Sequence, residues 1–394
     1  MPTYRTTNAA GRNAHAAVNA RPPRSKAPYI AAVVIVVAVI AAAAAVMALA
    51  FGNGSGSGTE QASGQAEPMA STTFSEALPA ETVVAADDVV MTIAGDRDTY
   101  VLKGEEYIEA GCHAVDPDAG DITSSIETTG TVNSNALGDY EVTYTATTAD
   151  GAKAQAKRNV HVVNSFDAPA QDIPVLMYHY VYSADDVPAD MNNNYILDTK
   201  LAEQCAYLRD NDFYFPSHQE LRAWVDGTHS LPAKSVILTF DDGEAGFLKH
   251  GIPVLEEYEV PATSFVVAKD AAQNVVDYAS PFVQFESHSY DMHRAGSNVG
   301  KGGVIHALSQ QEIYDDIMAS NEVTGGDGAV AMAYPFGDNN EAAWAALDDA
   351  GVLCAYTVKN DRVHVGDNPM ALNRVRLSGE YSLDSFVGLV EPSV

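Results

Sequence analysis

Basic side chains are scarce in this chain of 394 residues, in which 22 lysines and arginines stand against 53 aspartates and glutamates. Five of the basic residues fall in the segment 1–28, which contains no acid, so the remainder is even more anionic. Such a surface repels phosphate backbones, and this argues against nucleic acid as a partner. The length of the chain is typical of two or three domains.

Cysteine is also rare, with three residues at Cys112, Cys205 and Cys354. No two of them have the short spacing of a structural zinc site. So few cysteines in a chain of this length also exclude the small disulfide-stapled scaffolds of secreted proteins. We therefore expect buried, unpaired thiols, and the odd count leaves at least one cysteine without an intramolecular partner.

Charge is missing from Ile30–Phe51, a run of 22 residues. A helix needs about 20 apolar residues to cross a bilayer, and this run exceeds the apolar core of an ordinary signal peptide. The preceding positive charges predict a cytoplasmic N-terminus. We expect a cytoplasmic tail at 1–28, a single-pass anchor in the cell membrane at 29–51, and an extracellular remainder. Cleavage after Ala48-Leu49-Ala50, as in a signal peptide, is the alternative, and it also places the remainder outside.

The segment between the anchor and residue 172 has two characters. Residues 52–88 are rich in Gly, Ser, Ala and Thr, which predicts a flexible linker. Residues 89–164 combine β-forming runs such as Asp139–Ala146 and Val160–Val163 with glycines about every ten residues, as in a small antiparallel sandwich. This stretch resembles the bacterial Ig-like domains of surface proteins. The resemblance implies a spacer or cell-wall contact, followed by a short linker at 165–172.

Residues 173–394 alternate short apolar runs with helical patterns, which predicts a parallel α/β sheet, either open or closed as a barrel. Ser217 to Glu220 and Ser309 to Glu312 have the spacing of capping boxes at helix starts. In such folds the site lies at the carboxyl ends of the strands. The predicted strands are Ile173–Tyr178, Ser235–Phe240, Ala262–Ala268, Phe282–Glu286, Val330–Tyr334, Cys354–Val358 and Leu372–Leu377.

The most informative motifs directly follow predicted strands. Asp241 and Asp242 are adjacent, and their repulsion favours one carboxylate binding a cation while the other acts as a base. His288 and His293 are five positions apart, about 140° on a helix and on opposite faces of a strand, so only an irregular loop brings both to one ion. Together with Asp242 they form a three-ligand set with room for water and substrate. A metal there would polarise an acyl oxygen and acidify water, whose proton Asp241 would take.

A third motif, Pro335-Phe336-Gly337, closes another predicted strand, and its backbone N–H groups are candidates for holding an oxyanion. In this order the three motifs resemble the polysaccharide deacetylase family, also called the NodB-homology domain or carbohydrate esterase family four. The resemblance covers residues 173–390. It implies a distorted (β/α) barrel and a hydrolase of linear amides, which removes acetyl groups from N-acetylglucosamine polymers.

Carried over residue by residue, the resemblance makes Asp241 the general base and the backbone of Phe336 part of the oxyanion site. It makes Asp242, His288 and His293 the ligands of a divalent metal ion, with zinc as the first candidate. The polysaccharide is the expected substrate. Peptidoglycan, poly-N-acetylglucosamine and capsule all remain open.

The sequence departs from the family pattern at four points, one of which is that the usual Trp-containing fourth motif is not evident. The two histidines are five apart instead of four, as in the branch of the biofilm poly-N-acetylglucosamine deacetylases. Ala333 replaces the usual arginine of the third motif, and Leu372–Arg376 lacks the late histidine that supplies the general acid. We therefore predict that His179, at the end of an apolar strand and at the position implicated in that branch, is the acid. His364 is the second choice.

Two other functions remain open from the sequence. The same residues would serve an O-acetyl polysaccharide esterase. A non-catalytic glycan-binding surface protein with a decayed site is the other alternative. The four intact residues of the first two motifs argue against decay, and the missing late histidine argues for it more weakly.

Overall fold

The computed structural model describes residues 85–325 and 330–393, and its first seven strands form two sheets. Their orders are β1-β3-β4 and β2-β7-β6-β5. Buried side chains from both sheets, among them Ala114, Val142 and Val160, pack into one core, in agreement with the predicted sandwich. The strands β1 to β7 are Val90–Ile93, Asp98–Leu102, Cys112–Asp116, Gly120–Asp121, Glu127–Thr129, Gly138–Thr147 and Lys153–Val163.

The sandwich differs from the prediction in two details. It is not wholly antiparallel, because the chain crosses between the sheets after β1 and β2 then runs parallel to β7. The described end of the predicted linker, residues 85–88, is not free either. Ala85 pairs with Lys153, and the Ala86 N–H donates to the Lys153 carbonyl at 3.0 Å. These backbone contacts attach the segment to the start of β7.

Nine further strands follow, and seven of them close into a parallel barrel in the order β8-β11-β12-β13-β14-β15-β16. The alternation of strands and helices in the sequence allowed either an open sheet or a closed barrel, and the structure has the closed barrel. All seven predicted strands are present, with ends shifted by up to two residues. The unpredicted β9 and β10 pair with each other. Strands β8 to β16 are Val175–Tyr178, Tyr180–Tyr182, Tyr195–Leu197, Ile237–Phe240, Ala262–Val266, Val283–Ser287, Ala331–Ala333, Cys354–Asn360 and Leu372–Arg376.

Two of the helices begin at the caps that the sequence predicts. Ser217 and Glu220 form a complete capping box, and so do Ser309 and Glu312. In each box the serine oxygen accepts the glutamate N–H, while the glutamate carboxylate accepts the serine N–H, so two otherwise unpaired donors are satisfied. Helices α1 to α7 are Asp198–Asp210, His218–Val225, Ile252–Glu257, Ala272–Asp277, Gln310–Thr324, Glu341–Asp349 and Leu383–Val390.

The three cysteines are buried and make no disulfide, as predicted. Cys112 lies in the sandwich core, while Cys205 and Cys354 belong to the core of the barrel domain. Burial raises the pKa of each thiol to about 12, so the thiol form persists at neutral pH. These residues therefore act as small apolar side chains.

The sandwich packs against the amino-terminal end of the barrel. The Asp96 N–H donates to the Phe215 carbonyl at 2.8 Å, and the Thr92 hydroxyl donates to the Ser280 carbonyl at 2.6 Å. Phe215 follows Tyr214, which pairs with Ser235 just ahead of β11, and Ser280 precedes β13, so both acceptors lie where barrel strands begin. The carboxyl ends of the strands, where the site was predicted, are at the opposite end.

The predicted linker at 165–172 also follows the barrel surface. The Ala170 N–H donates to the Leu231 carbonyl at 2.8 Å, and the Ala168 carbonyl accepts the Ala233 N–H at 2.9 Å. The segment is therefore hydrogen-bonded to the barrel domain at residues 168 and 170 and is not a free tether between two domains.

Within residues 85–325 and 330–393, no helix has both the length and the apolar character needed to cross a bilayer. The predicted tail at 1–28 and anchor at 29–51 lie outside the described residues, as does the linker up to residue 84.

Candidate metal and catalytic site

The two adjacent aspartates occupy a strained turn directly after β11. Asp242 has φ of 75°, and Gly243 follows with φ of 59°. A Cβ atom on Gly243 would lie 2.6 Å from a methyl group of Val266, so only glycine fits there. A left-handed backbone at a non-glycine residue costs energy and is often found at functional sites. The turn gives the two carboxylates different partners, as their mutual repulsion predicted.

Asp242 lies beside both predicted histidine ligands. Its Oδ1 atom is 3.4 Å from Nε2 of His288 and 3.4 Å from Nε2 of His293. One ligand atom from each of the three residues falls within 4.8 Å of the other two. The structure therefore brings together, at the carboxyl ends of β11 and β13, the three residues that the sequence selected.

The surroundings of the three residues favour metal binding. Nδ1 of His288 lies 2.7 Å from the Ala333 carbonyl, which fixes the proton on Nδ1 and leaves the Nε2 lone pair facing Asp242. Burial acts to raise the pKa of Asp242, but the neighbouring His288 and His293 side chains and the Tyr180 hydroxyl outweigh burial and hold that pKa far below its ordinary value. A carboxylate and two neutral imidazoles are a suitable donor set for a divalent ion, so the residues present fit one.

Tyr180 is a functional candidate that the sequence analysis missed. Its hydroxyl donates to Oδ2 of Asp242 at 2.8 Å, so it orients the carboxylate whose other oxygen faces the histidines. Tyr180 begins the short strand β9, which no periodicity predicted. Its only signal in the sequence is its place next to His179.

Arg374 is the second missed residue, and it is the partner of Asp241. Its Nη1 and Nη2 atoms donate to Oδ1 and Oδ2 of Asp241 at 2.7 Å each, and both side chains are buried. Burial acts to raise the pKa of Asp241, but the guanidinium outweighs it and holds this pKa below its ordinary value. Arg374 also donates to the carbonyl of Thr357 and the hydroxyl of Thr239, which fix its position.

His179 follows β8 directly, at the same end of the barrel as the aspartates. Burial lowers its pKa below the ordinary value, although the carboxylates of Asp241 and Asp242 act in the opposite direction. These carboxylates are therefore close enough to interact with its ring. The second choice, His364, lies elsewhere, because Val363 pairs with Ile173 ahead of β8.

Phe336 lies in the turn after β14 with φ of 61°. Its ring packs against His293, with 4.7 Å between the centroids and 37° between the planes. The ring thus borders the candidate metal site and restricts the more exposed of the two histidines. The N–H of Gly337, in contrast, is committed to the Tyr334 carbonyl at 2.8 Å.

Comparisons with known proteins agree with this geometry. Residues 91–162 match the model of the bacterial surface protein Ig-like domain, and residues 228–355 match that of polysaccharide deacetylases. A Staphylococcus aureus protein named poly-beta-1,6-N-acetyl-D-glucosamine N-deacetylase is 21% identical over 252 residues, covering 56% of this chain and 86% of its own.

Two solved structures are also similar. The Streptococcus pyogenes deacetylase PplD, in complex with acetate, is 21% identical with a TM-score of 0.48, covering 57% of this chain and 100% of its own. IcaB from Ammonifex degensii is 25% identical with a TM-score of 0.47, covering 56% and 96%.

The deacetylase match spans both aspartates of the first motif and both histidines of the second. The site geometry and the family model thus concern the same part of the barrel. The chain therefore contains a polysaccharide deacetylase domain, matched over residues 228–355 and preceded by an Ig-like domain of the bacterial surface type, and it is a deacetylase hydrolase.

Proposed function

We propose that this enzyme removes N-acetyl groups from an N-acetylglucosamine-containing polysaccharide of the cell surface or wall, releasing acetate and leaving a free amine. The observation that carries the proposal is the convergence of Asp242, His288 and His293, with the buried Asp241 next to them. The name of the Staphylococcus aureus relative supports an N-acetylglucosamine polymer as the substrate class.

Asp242, His288 and His293 would hold a divalent ion, and we propose zinc because oxygen and imidazole ligands in an open three-residue set suit it. When bound, such an ion polarises the acyl oxygen and lowers the pKa of water. The chain itself orients the ligands through the Ala333 carbonyl and the Tyr180 hydroxyl.

Asp241 would be the general base. Its lowered pKa keeps the carboxylate ionised at neutral pH, so it can accept a proton. Arg374 occupies one acceptor position on each carboxylate oxygen, and each oxygen retains a second. The arginine therefore fixes the base in position and still leaves it free to take the proton from water.

His179 would be the general acid. Cleavage of an amide requires a proton on the leaving nitrogen, because an amine anion is a very poor leaving group. His179 lies at the same rim as Asp241, and its lowered pKa makes its protonated form the stronger donor.

The oxyanion that forms on the acyl group would be held in part by the backbone of Phe336. Pro335 has no N–H, and the N–H of Gly337 is already bonded to the Tyr334 carbonyl. Within this turn the assignment therefore falls to the Phe336 amide.

The first test measures acetate released from poly-β-1,6-N-acetylglucosamine and from purified peptidoglycan, with and without a chelator. We expect release from at least one of them, loss with the chelator, and recovery when zinc is added. His288→Ala should lose both metal, measured by elemental analysis, and turnover. Asp241→Asn should retain metal and lose turnover roughly 10²–10⁴-fold. Normal turnover by metal-free His288→Ala would remove the metal site from the proposal. O-acetylated xylan is assayed beside the two N-acetylated polymers, and release from xylan alone would make the enzyme an esterase.

The second test concerns His179. His179→Ala would be assayed on the acetyl amide and on an acetyl ester with a good leaving group. Because such a leaving group needs little protonation, the ester reaction should survive better than the amide reaction. Equal losses on both substrates, or no loss on either, would exclude His179 as the acid.

We further propose that the catalytic domain is extracellular, anchored in the cell membrane by residues 29–51, with the Ig-like domain available for cell-wall contact. The uncharged run, the positive charges before it and the match to a bacterial surface domain support this location. Protease added to intact cells should remove the Ig-like and catalytic domains. Their protection until the cells are permeabilised would contradict the proposal.

A further inference from the structure

The loop 288–293 connects the two histidines of the site and has no regular structure. Ser289 adopts φ of 79°, so the chain turns sharply directly after the first histidine. This turn solves the problem posed by the five-residue spacing, because neither a helix nor a strand would bring both rings to one point. An irregular loop has no internal ladder of hydrogen bonds, however, so other groups must hold its shape.

One edge of the loop is held by backbone that follows β12. The N–H of His288 donates to the Val266 carbonyl at 2.8 Å. The carbonyls of Ser289 and Tyr290 accept the N–H groups of Ala268, at 2.9 Å, and Lys269, at 3.2 Å. These bonds fix the path of the loop next to the barrel, and they use its carbonyls.

The opposite edge presents two successive N–H groups, and a single side chain accepts both. Oδ1 of Asp316 accepts the N–H of Tyr290 at 2.7 Å, and Oδ2 accepts the N–H of Asp291 at 2.8 Å. Both donors lie between the two histidines in the sequence. Hydrogen bonds to a charged acceptor are shorter and stronger than bonds between neutral groups, so this contact holds the loop firmly.

Asp316 is itself held on a rigid element. It lies within α5, which starts at the capping box of Ser309 and Glu312. Ile313 and Ile317, on either side of it in the helix, are fully buried. The neighbouring Asp315, in contrast, is exposed and accepts only the side-chain amide of Gln311 at 2.8 Å.

We propose that Asp316 is a positioning residue, which sets the loop 288–293 so that His288 and His293 converge with Asp242 and bind a divalent metal ion tightly. The inference rests on the proposed metal site. It adds the side chain that holds the loop in the shape by which two histidines five positions apart reach one ion. Asp316 acts through the loop and touches neither the metal nor the substrate.

The test compares Asp316→Ala, Asp316→Asn and the matched control Asp315→Ala with the wild-type protein. Zinc and cobalt(II) dissociation constants would be measured on the metal-free proteins by competition with a chromogenic chelator. Loss of an outer partner of a metal site weakens affinity roughly 10- to 100-fold, which we expect for Asp316→Ala. Asp316→Asn should lose less, because its amide oxygen still accepts one N–H, and Asp315→Ala should match the wild type.

The visible spectrum of the cobalt(II) forms supplies a second readout, since it reports ligand geometry. We expect a changed spectrum for Asp316→Ala and an unchanged one for Asp315→Ala. If Asp316→Ala does not fold, the affinity of Asp316→Asn decides. Wild-type affinity and spectrum in the Asp316 variants, even with a lowered free energy of unfolding, would overturn the inference and leave the metal site intact. Absence of zinc and cobalt binding in the wild type and in Asp315→Ala would instead overturn the metal site, and this inference with it.

Discussion

His218 is buried in α2, and its burial makes the stability of the protein depend on pH. Nδ1 lies 2.8 Å from the Tyr356 hydroxyl, and Nε2 lies 2.8 Å from the Thr263 hydroxyl. The imidazole thus joins α2 to the interior of β12 and β15. Burial lowers the pKa of His218 from 6.5 to about 4, because the charged ring would lose its hydration.

The sign of the effect follows from the two states. The unfolded chain takes up a proton on this histidine below its ordinary pKa, whereas the folded protein keeps the ring neutral to much lower pH. The contribution to stability is therefore present above the unfolded pKa and is lost as the pH falls toward the folded value. The full difference corresponds to about 3 kcal/mol, of which about 2 kcal/mol is lost between about pH 8 and about pH 5.

The assay is urea unfolding of the wild type and of His218→Gln across that pH range, followed by far-ultraviolet circular dichroism. The variant cannot titrate, so between the two pH values it should lose about 2 kcal/mol less than the wild type, whatever its stability at the higher pH. The same slope for His218→Gln and the wild type would refute this reasoning.

Three further predictions concern contacts between distant segments. Arg374→Met leaves Asp241 buried without its counter-charge, so the free energy of unfolding, measured in urea, should fall by about 3–5 kcal/mol. Adding Asp241→Asn should recover most of that loss. A loss below about 1 kcal/mol for Arg374→Met would contradict the buried pair. Tyr180→Phe removes the hydrogen bond to the aspartate ligand, and chelator competition should report roughly 10- to 100-fold weaker zinc binding; unchanged affinity would exclude this role. Gly95→Ala would place a Cβ 2.7 Å from the Ser217 nitrogen, whereas Gly104 has a similar φ but open space around it. In urea unfolding, Gly95→Ala should therefore lower the free energy of unfolding by about 1–3 kcal/mol more than Gly104→Ala does. Equal losses would mean that the backbone at this contact shifts to accommodate the added methyl group.

Local patterns explain why the sequence analysis found the barrel strands and the ligands. Each strand is a short apolar run bounded by turn or cap residues, and such periodicity depends only on neighbours in the chain. Asp241 and Asp242 directly follow one run, and His288 follows another. Since parallel strands place their carboxyl ends at one edge of a sheet, the sequence alone is sufficient to assign these residues to one site.

The same reasoning missed the partners of the catalytic candidates. Arg374 is 133 residues from Asp241 in the sequence. The sequence of its segment, Leu372–Arg376, was notable only because it lacks the late histidine of the family, and nothing in it points to Arg374. Tyr180 begins a strand of three residues, too short for a periodic pattern. Asp316 is one of several acidic residues on α5, and the sequence does not distinguish it from Asp315.

The sequence by itself determined the seven barrel strands, the candidate ligand set and the residue proposed as base, because each depends on a local pattern or on a motif within a few residues. Only the tertiary structure decided that the sheet closes, that the Ig-like domain packs against the amino-terminal end of the barrel, and that Arg374 reaches Asp241. Closure makes β16 a neighbour of β8, and β8 pairs with β11. Strand order and register bring together side chains from distant segments. The periodicity within a single segment does not encode that order or that register.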